Sequence, residues 1–259
     1  MAYVTTNDEV ELYYEDSGRG PVIAFVSGYM GVADIWHNQT AALSDKYRCI
    51  THDNRGYGRS GKPEAADGYS VELHAEDLKD VLDAAGVREP VVLVTHSMGG
   101  NISTEFALRY PARVAGIIYT GTYLSGAQFR RMGVTGDRLF EGVSTLSASV
   151  RFFTAFGLAP KIALEAAKWA RPCLHGNAQA LSSYDCEHRY KEIEFPVLIV
   201  QGGSDVITPA DPCATELQVA IGGARLEILE GVNHFPQTEA PERVSELIDT
   251  FVCNIFSTR

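Results

Sequence analysis

Short apolar runs rich in Val, Ile and Tyr recur along the chain at residues 10–14, 21–26, 47–53, 90–96, 114–121, 195–203 and 224–231. In the later runs the hydrophobicity is continuous rather than alternating, which predicts strands covered on both faces, as in a parallel sheet. Helical spacing appears between them. Residues 70–87 place Leu73, Leu78, Val81, Leu82 and Ala85 on one helical face, and Gly86 is set to end that helix as a C-terminal cap. Residues 98–111 and 241–256 read the same way, the second opening on Pro241, where a first-turn proline is tolerated. Strand followed by helix, repeated, predicts an α/β fold with crossover connections.

The alternation breaks between residues 123 and 189, which offer helix-like segments and no convincing strand. The expected organisation is a core of 1–122 and 190–259 carrying an inserted helical cap, 123–189. The aromatics of that insertion, Phe129, Phe140, Phe152, Phe153, Phe156 and Trp169, are expected to pack mostly on one another, with some facing a pocket below.

Composition narrows the function. With 259 residues, 45% hydrophobic and 21% charged, the chain has enough apolar material for a sizeable single core. Its 22 basic and 33 acidic residues leave a net charge of −11, which repels nucleic-acid phosphate and anionic lipid. The expected partner is a small-molecule substrate, with no nucleic acid and no membrane. A homodimer is compatible with the sequence, which carries no signal for or against assembly. The opening 18 residues alternate apolar and acidic positions, unlike a secretory signal, and no apolar run approaches the ~18 residues of a membrane helix. Five scattered cysteines read as reduced thiols, so a cytoplasmic location is expected. Cys173 and His175, with Cys186 and His188, form two C-x-H pairs, but without the spacing of a zinc site; no metal and no cofactor are expected.

The chemistry centres on residues 90–100, PVVLVTHSMGG. Ordinary turn chemistry accounts for a serine beside glycines. Yet the stretch resembles the nucleophile elbow of the α/β-hydrolase family, in which a serine sits on a sharp strand-to-helix turn between small neighbours. Gly99 fits that pattern, and Thr95 stands where glycine is usual. Serine needs a histidine to accept its proton and a carboxylate to orient that histidine. The resemblance supplies both: LIVQGGSDVITP (198–209) looks like the loop carrying the acid, at Asp205, and LEGVNHFPQTEAPERV (229–244) like the loop carrying the base, at His234. Ser97, Asp205, His234 is the family's chain order. Relatives that carry the acid after the preceding strand are a poorer match, because 117–126 holds no Asp or Glu.

FVSGYMGVADIW (25–36) resembles the family's loop after an early strand, with Ser27 in place of the usual histidine. By carry-over, the peptide N–H groups of Tyr29 and Met98 form the oxyanion hole. Gly28 and Met30 are expected beside the substrate. Gly56, Gly58 and Gly61 satisfy a dinucleotide fingerprint formally, but no helix follows at once, so they read as a loop. His96 reads as a support residue and Cys213 as a packed thiol. The resemblance thus implies an α/β-hydrolase fold, a mostly parallel sheet flanked by helices, and a cofactor-free serine hydrolase. Its expected reaction is cleavage of a carboxylic ester or lactone of a small, largely apolar substrate through an acyl-enzyme. The alternatives are a C–C bond hydrolase or perhydrolase using the same triad, or a slow-turnover ligand-binding receptor.

Overall fold

The computed structural model describes residues 1–257. Its strands are β1 (Ala2–Thr5), β2 (Glu11–Ser17), β3 (Val22–Val26), β4 (Arg48–His52), β5 (Val91–His96), β6 (Val114–Thr120), β7 (Val197–Gly202) and β8 (Arg225–Leu229). They form one sheet in the order β1-β2-β4-β3-β5-β6-β7-β8. β1 and β2 run antiparallel to their neighbours, and all pairs from β4–β3 to β7–β8 are parallel.

Every residue of β3, β5, β6 and β7 is buried, which is why their sequences are continuously apolar. Two expectations change. β1 was not foreseen: it is four residues long, alternates half-buried and exposed positions, and gains its place only by pairing with β2. β8 is not covered on both faces, because it closes the edge of the sheet and leaves Arg225 and Ile228 exposed.

Helices cover both faces. α1 (His37–Leu43) and α11 (Pro241–Ser257) lie on one side; α2 (Val71–Ala84), α3 (Met98–Arg109) and α9 (Thr215–Ile221) lie on the other. The pleat divides the core accordingly: Val22, Ala24 and Val26 of β3 join the α2/α3 cluster, and Ile23 and Phe25 join the α11 cluster. α2 begins where the Ser70 hydroxyl accepts from the Leu73 N–H at 3.1 Å and ends before Gly86, whose φ is +70°.

Between β6 and β7 the chain forms α4 (Gly126–Arg131), α5 (Gly136–Gly142), α6 (Leu146–Ala155), α7 (Pro160–Ala166) and α8 (Arg171–Ser183). Side-chain contacts tie these helices to the sheet-bearing part. Tyr29 Oη donates to the Leu174 carbonyl at 3.1 Å, and His74 Nε2 meets Asn177 Oδ1 at 2.6 Å. His74 Nδ1 lies 3.9 Å from Asp77 Oδ2 of the buried Arg55–Asp77 ion pair (2.6 Å), both of whose side chains are 1% exposed. Among the described residues no helix is long and apolar enough to cross a membrane. The same residues contain no group of three or more His, Cys, Asp or Glu placed to hold a metal ion.

Candidate active site

β5 ends at His96, α3 begins at Met98, and Ser97 alone makes the turn. It adopts φ 53° and ψ −124°, a conformation that costs a non-glycine residue about 1–3 kcal/mol and persists only where its surroundings hold it. The Ser97 N–H donates to the Thr120 carbonyl at 3.0 Å, and the Ser97 carbonyl accepts from the Gly100 N–H at 2.8 Å. Gly99 permits the tight approach of α3, since a β-carbon there would lie 2.3 Å from the Val26 carbonyl oxygen. The Ser97 hydroxyl is left without a hydrogen-bond partner among the described residues, facing a cavity.

Asp205 follows β7 and is 4% exposed. Its Oδ1 accepts from the Ile207 and Thr208 N–H groups at 2.8 and 3.0 Å. Its Oδ2 accepts from Gln201 Nε2 (2.9 Å), Thr208 Oγ1 (2.7 Å) and His234 Nδ1 (2.9 Å). Burial alone would raise the carboxyl; the His234 charge and hydrogen bond, with the Thr208 donors, outweigh it and hold Asp205 below the usual carboxylate value. An ionised carboxylate can only accept, so His234 Nδ1 carries its proton toward Asp205 and leaves Nε2 for the cavity.

His96 steadies His234 from the other side. Its ring stacks on Phe235 at 4.7 Å, and its Nε2 donates to the His234 carbonyl at 2.9 Å. Burial pushes this imidazole down to about 3, so it is neutral and serves as a strut.

The loop after β3 approaches the elbow closely. Asn54 Nδ2 donates to the Ser27 and Gly28 carbonyls at 2.9 and 3.2 Å. Ser27 Oγ donates to the Val32 carbonyl and accepts from Trp36 Nε1, so the residue that replaces the family's histidine braces its own loop. The Met98 N–H sits in the first turn of α3, where its own helix offers it no carbonyl. Among the described residues neither it nor the Tyr29 N–H donates to another protein group. The glycine-rich segment 56–61 is a loop, pinned where Asp53 Oδ2 accepts from the Arg59 N–H and Nε at 2.9 and 2.7 Å.

Ser97, His234, His96 and Tyr29 line one cavity of about 40 Å³, room for a few water-sized groups. Tyr123, Phe129, Phe152, Phe153 and Phe235 supply most of its wall. Larger surface grooves exist, such as the one between β7 and α11, but they hold neither Ser97 nor His234. Of the residues expected beside the substrate, Gly28 abuts the elbow without lining the cavity. Met30, with φ +56°, is 1% exposed and belongs to the core cluster that holds Trp36 and Ile35; it too does not line the cavity. Cys213 is buried, its thiol 3.6 Å from Met132 Sδ. Sequence reasoning missed Gln201 and Thr208 as partners of Asp205; both lie inside residues 198–209, Thr208 in the loop and Gln201 in β7, and neither carried a signal of its own.

The family model for the α/β hydrolase fold matches residues 21–150. A non-heme chloroperoxidase, CPO-A1, from Kitasatospora aureofaciens is 29% identical, the match covering 90% of this chain and 92% of that protein. A bifunctional esterase/perhydrolase from Acinetobacter calcoaceticus is also 29% identical, over 93% and 95%. Among solved structures, Est816, described as an N-acyl homoserine lactone degrading enzyme, superposes with a TM-score of 0.83 at 28% identity, covering 96% of this chain and 100% of that one. A family match over half the chain, on a sheet of this order with a strained serine at the end of β5, makes this protein a member of the α/β-hydrolase fold family and a hydrolase by its kinship.

Proposed function

We propose that the protein is a serine hydrolase that cleaves a carboxylic ester or lactone with a small, uncharged acyl part through an acyl-enzyme. The observation that carries this reading is the 2.9 Å contact between His234 Nδ1 and Asp205 Oδ2, made beside a cavity that also receives the strained Ser97. Ser97 Oγ attacks the carbonyl carbon while His234 Nε2 takes its proton. The tetrahedral oxyanion is held by the Tyr29 and Met98 N–H groups, with the N-terminal dipole of α3 adding to the second. The proton then passes to the leaving alkoxide oxygen, the C–O bond breaks, and an ester on Ser97 remains. Water attacks that ester with His234 again as base, regenerating the hydroxyl and releasing the acid. Catalytic hydrogen bonds commonly tighten only when substrate is bound, which reconciles this route with an unpartnered Ser97 hydroxyl.

The cavity wall supports an uncharged acyl group. None of its lining residues is Lys or Arg, so a second carboxylate on the substrate would be buried without a counter-charge. That disfavours the dianionic substrates named for the C–C hydrolase relative at 28% identity, a 2-hydroxy-6-oxononadienedioate hydrolase from Paraburkholderia phymatum. A perhydrolase reaction, in which hydrogen peroxide replaces water in the second half, is the second reading, supported by the named activity of the Acinetobacter relative.

The test is a panel of p-nitrophenyl acyl esters and lactones of rising chain length, with and without hydrogen peroxide, run beside Ser97→Ala. Turnover of short acyl esters that falls about 10⁴-fold or more in Ser97→Ala is expected. Equal turnover in the two proteins would refute the assignment of the nucleophile. Stoichiometric labelling of Ser97 by a fluorophosphonate with negligible turnover across the panel would point to a slow-turnover receptor.

A further inference from the structure

Glu239 stands five residues beyond His234, at the end of the short helix α10 (Pro236–Glu239), and its carboxylate turns back over its own helix. Oε2 accepts from the Asn233 N–H at 2.9 Å and Oε1 from the Phe235 N–H at 3.0 Å. The N–H groups of the two residues that bracket His234 are thus gripped by one side chain. Among the described residues no Lys, Arg or His forms an ion pair with Glu239, so its half-buried charge is met chiefly by these two N–H groups. From the opposite side, the His234 carbonyl receives His96. We propose that Glu239 is a positioning residue for the base, fixing the peptide frame from which the His234 ring reaches Asp205. The inference rests on His234 being that base.

The same carboxylate meets the helical insertion. A β-carbon on Gly157, just beyond α6, would lie 2.4 Å from Glu239 Cδ, and Gly157 also has φ +102°, where side chains are disfavoured. Thr238 Oγ1 donates to the Gly157 carbonyl at 3.3 Å. The frame of the base is therefore built against the wall of the cavity, so the two are set in register. The plain alternative is that Glu239 only caps α10, as acids do near helix N-termini. A cap affects how much protein is folded. A positioning residue affects how well each folded molecule works.

Glu239→Ala and Glu239→Gln are compared with the wild type and with Glu242→Ala, an exposed acid at the start of α11. Active sites are counted by end-point fluorophosphonate labelling, and kcat is expressed per labelled site. The expected result is a fall of about 10- to 100-fold in kcat for Glu239→Ala, with KM changed less than about threefold, since small misplacements of catalytic groups have effects of that size. Gln retains one acceptor and opposes the other N–H with an amide donor, so it should fall between; Glu242→Ala should match wild type. The ring ¹⁵N resonances of His234, assigned with His234→Ala, should move in Glu239→Ala from the pattern of a single Nδ1–H tautomer toward a mixture. Unchanged kcat per labelled site overturns the proposal, whatever happens to Tm. If the wild type and Ser97→Ala turn over esters equally, the triad reading has failed instead, and the His234 resonances alone decide on Glu239: no movement overturns it.

Discussion

Gly28 lies so close to Ser97 that a β-carbon on residue 28 would stand 2.8 Å from Ser97 Cβ and 2.7 Å from the His96 carbonyl oxygen. Here the glycine is required by approach rather than by backbone conformation. The Met98 N lies 3.1 Å from that same β-carbon position, so the narrow gap between the β3 loop and the elbow is what brings the two candidate oxyanion donors together. Gly28→Ala must push the loop away. We expect kcat to drop about 10²-fold, because electrostatic stabilisation of the oxyanion depends on donor position. Overpacking should also remove about 1–3 kcal/mol of stability. Ester kinetics and a thermal melt on the same preparation check both.

Three histidines are buried without charge, and they predict acid sensitivity. Burial pushes His52 down to about 4 and His74 and His96 down to about 3. Unfolded, each takes its proton near pH 6.5. The unfolded chain therefore binds more protons between about pH 6.5 and 3–4, and stability falls as pH drops through that window while remaining full above it. At pH 5 each contributes a loss of about 2 kcal/mol relative to neutral pH. Urea midpoints at pH 7 and pH 5 measure the total. In His74→Gln the slope of stability against pH should be shallower by one proton's worth; an unchanged slope would show that His74 is not a neutral buried group.

The pair Arg55–Asp77 is enclosed on all sides, with Arg55 Nη1 also donating to Asp8 Oδ2 at 2.7 Å and to the Gly68 carbonyl at 3.0 Å. Removing Arg55 strands the buried Asp77 carboxylate, whereas removing Asp77 leaves Arg55 its pairing with Asp8. Arg55→Met should cost about 3–5 kcal/mol, roughly 10 °C in Tm for a domain of this size, whereas replacing both members by apolar residues of similar volume should recover most of that. A melt of the single and double variants distinguishes the two, and a double variant no better than the single would refute the stranded-charge account.

How much of this was legible in the chain differs from residue to residue. Ser97, Asp205 and His234 could be nominated because each sits at or just beyond the end of an apolar strand, in a short stretch that resembles a motif of the α/β-hydrolase family. The buried strands announced themselves by continuous apolarity. β1 did not, since four residues at an edge take their conformation from β2. Glu239 reads in the sequence as an ordinary acid near a helix start, and nothing local tells that both of its oxygens close on the peptides around His234. The burial of Met30 was equally illegible: a motif fixes the order of residues in a loop, while the packing of other segments decides how deeply each side chain is enclosed.

By itself, then, the sequence determined the alternation of strands and helices and the family, and nominated three groups as a candidate triad, because these depend on neighbours within a few positions. Tertiary structure alone decided that Asp205 and His234 meet, that Arg55 and Asp77 are sealed together, and that aromatic side chains from the insertion narrow the space before Ser97 to about 40 Å³. Those outcomes depend on where distant segments pack, and packing is a property of the whole chain: a side chain's partners are set by the shape of the space left to it, not by the residues beside it.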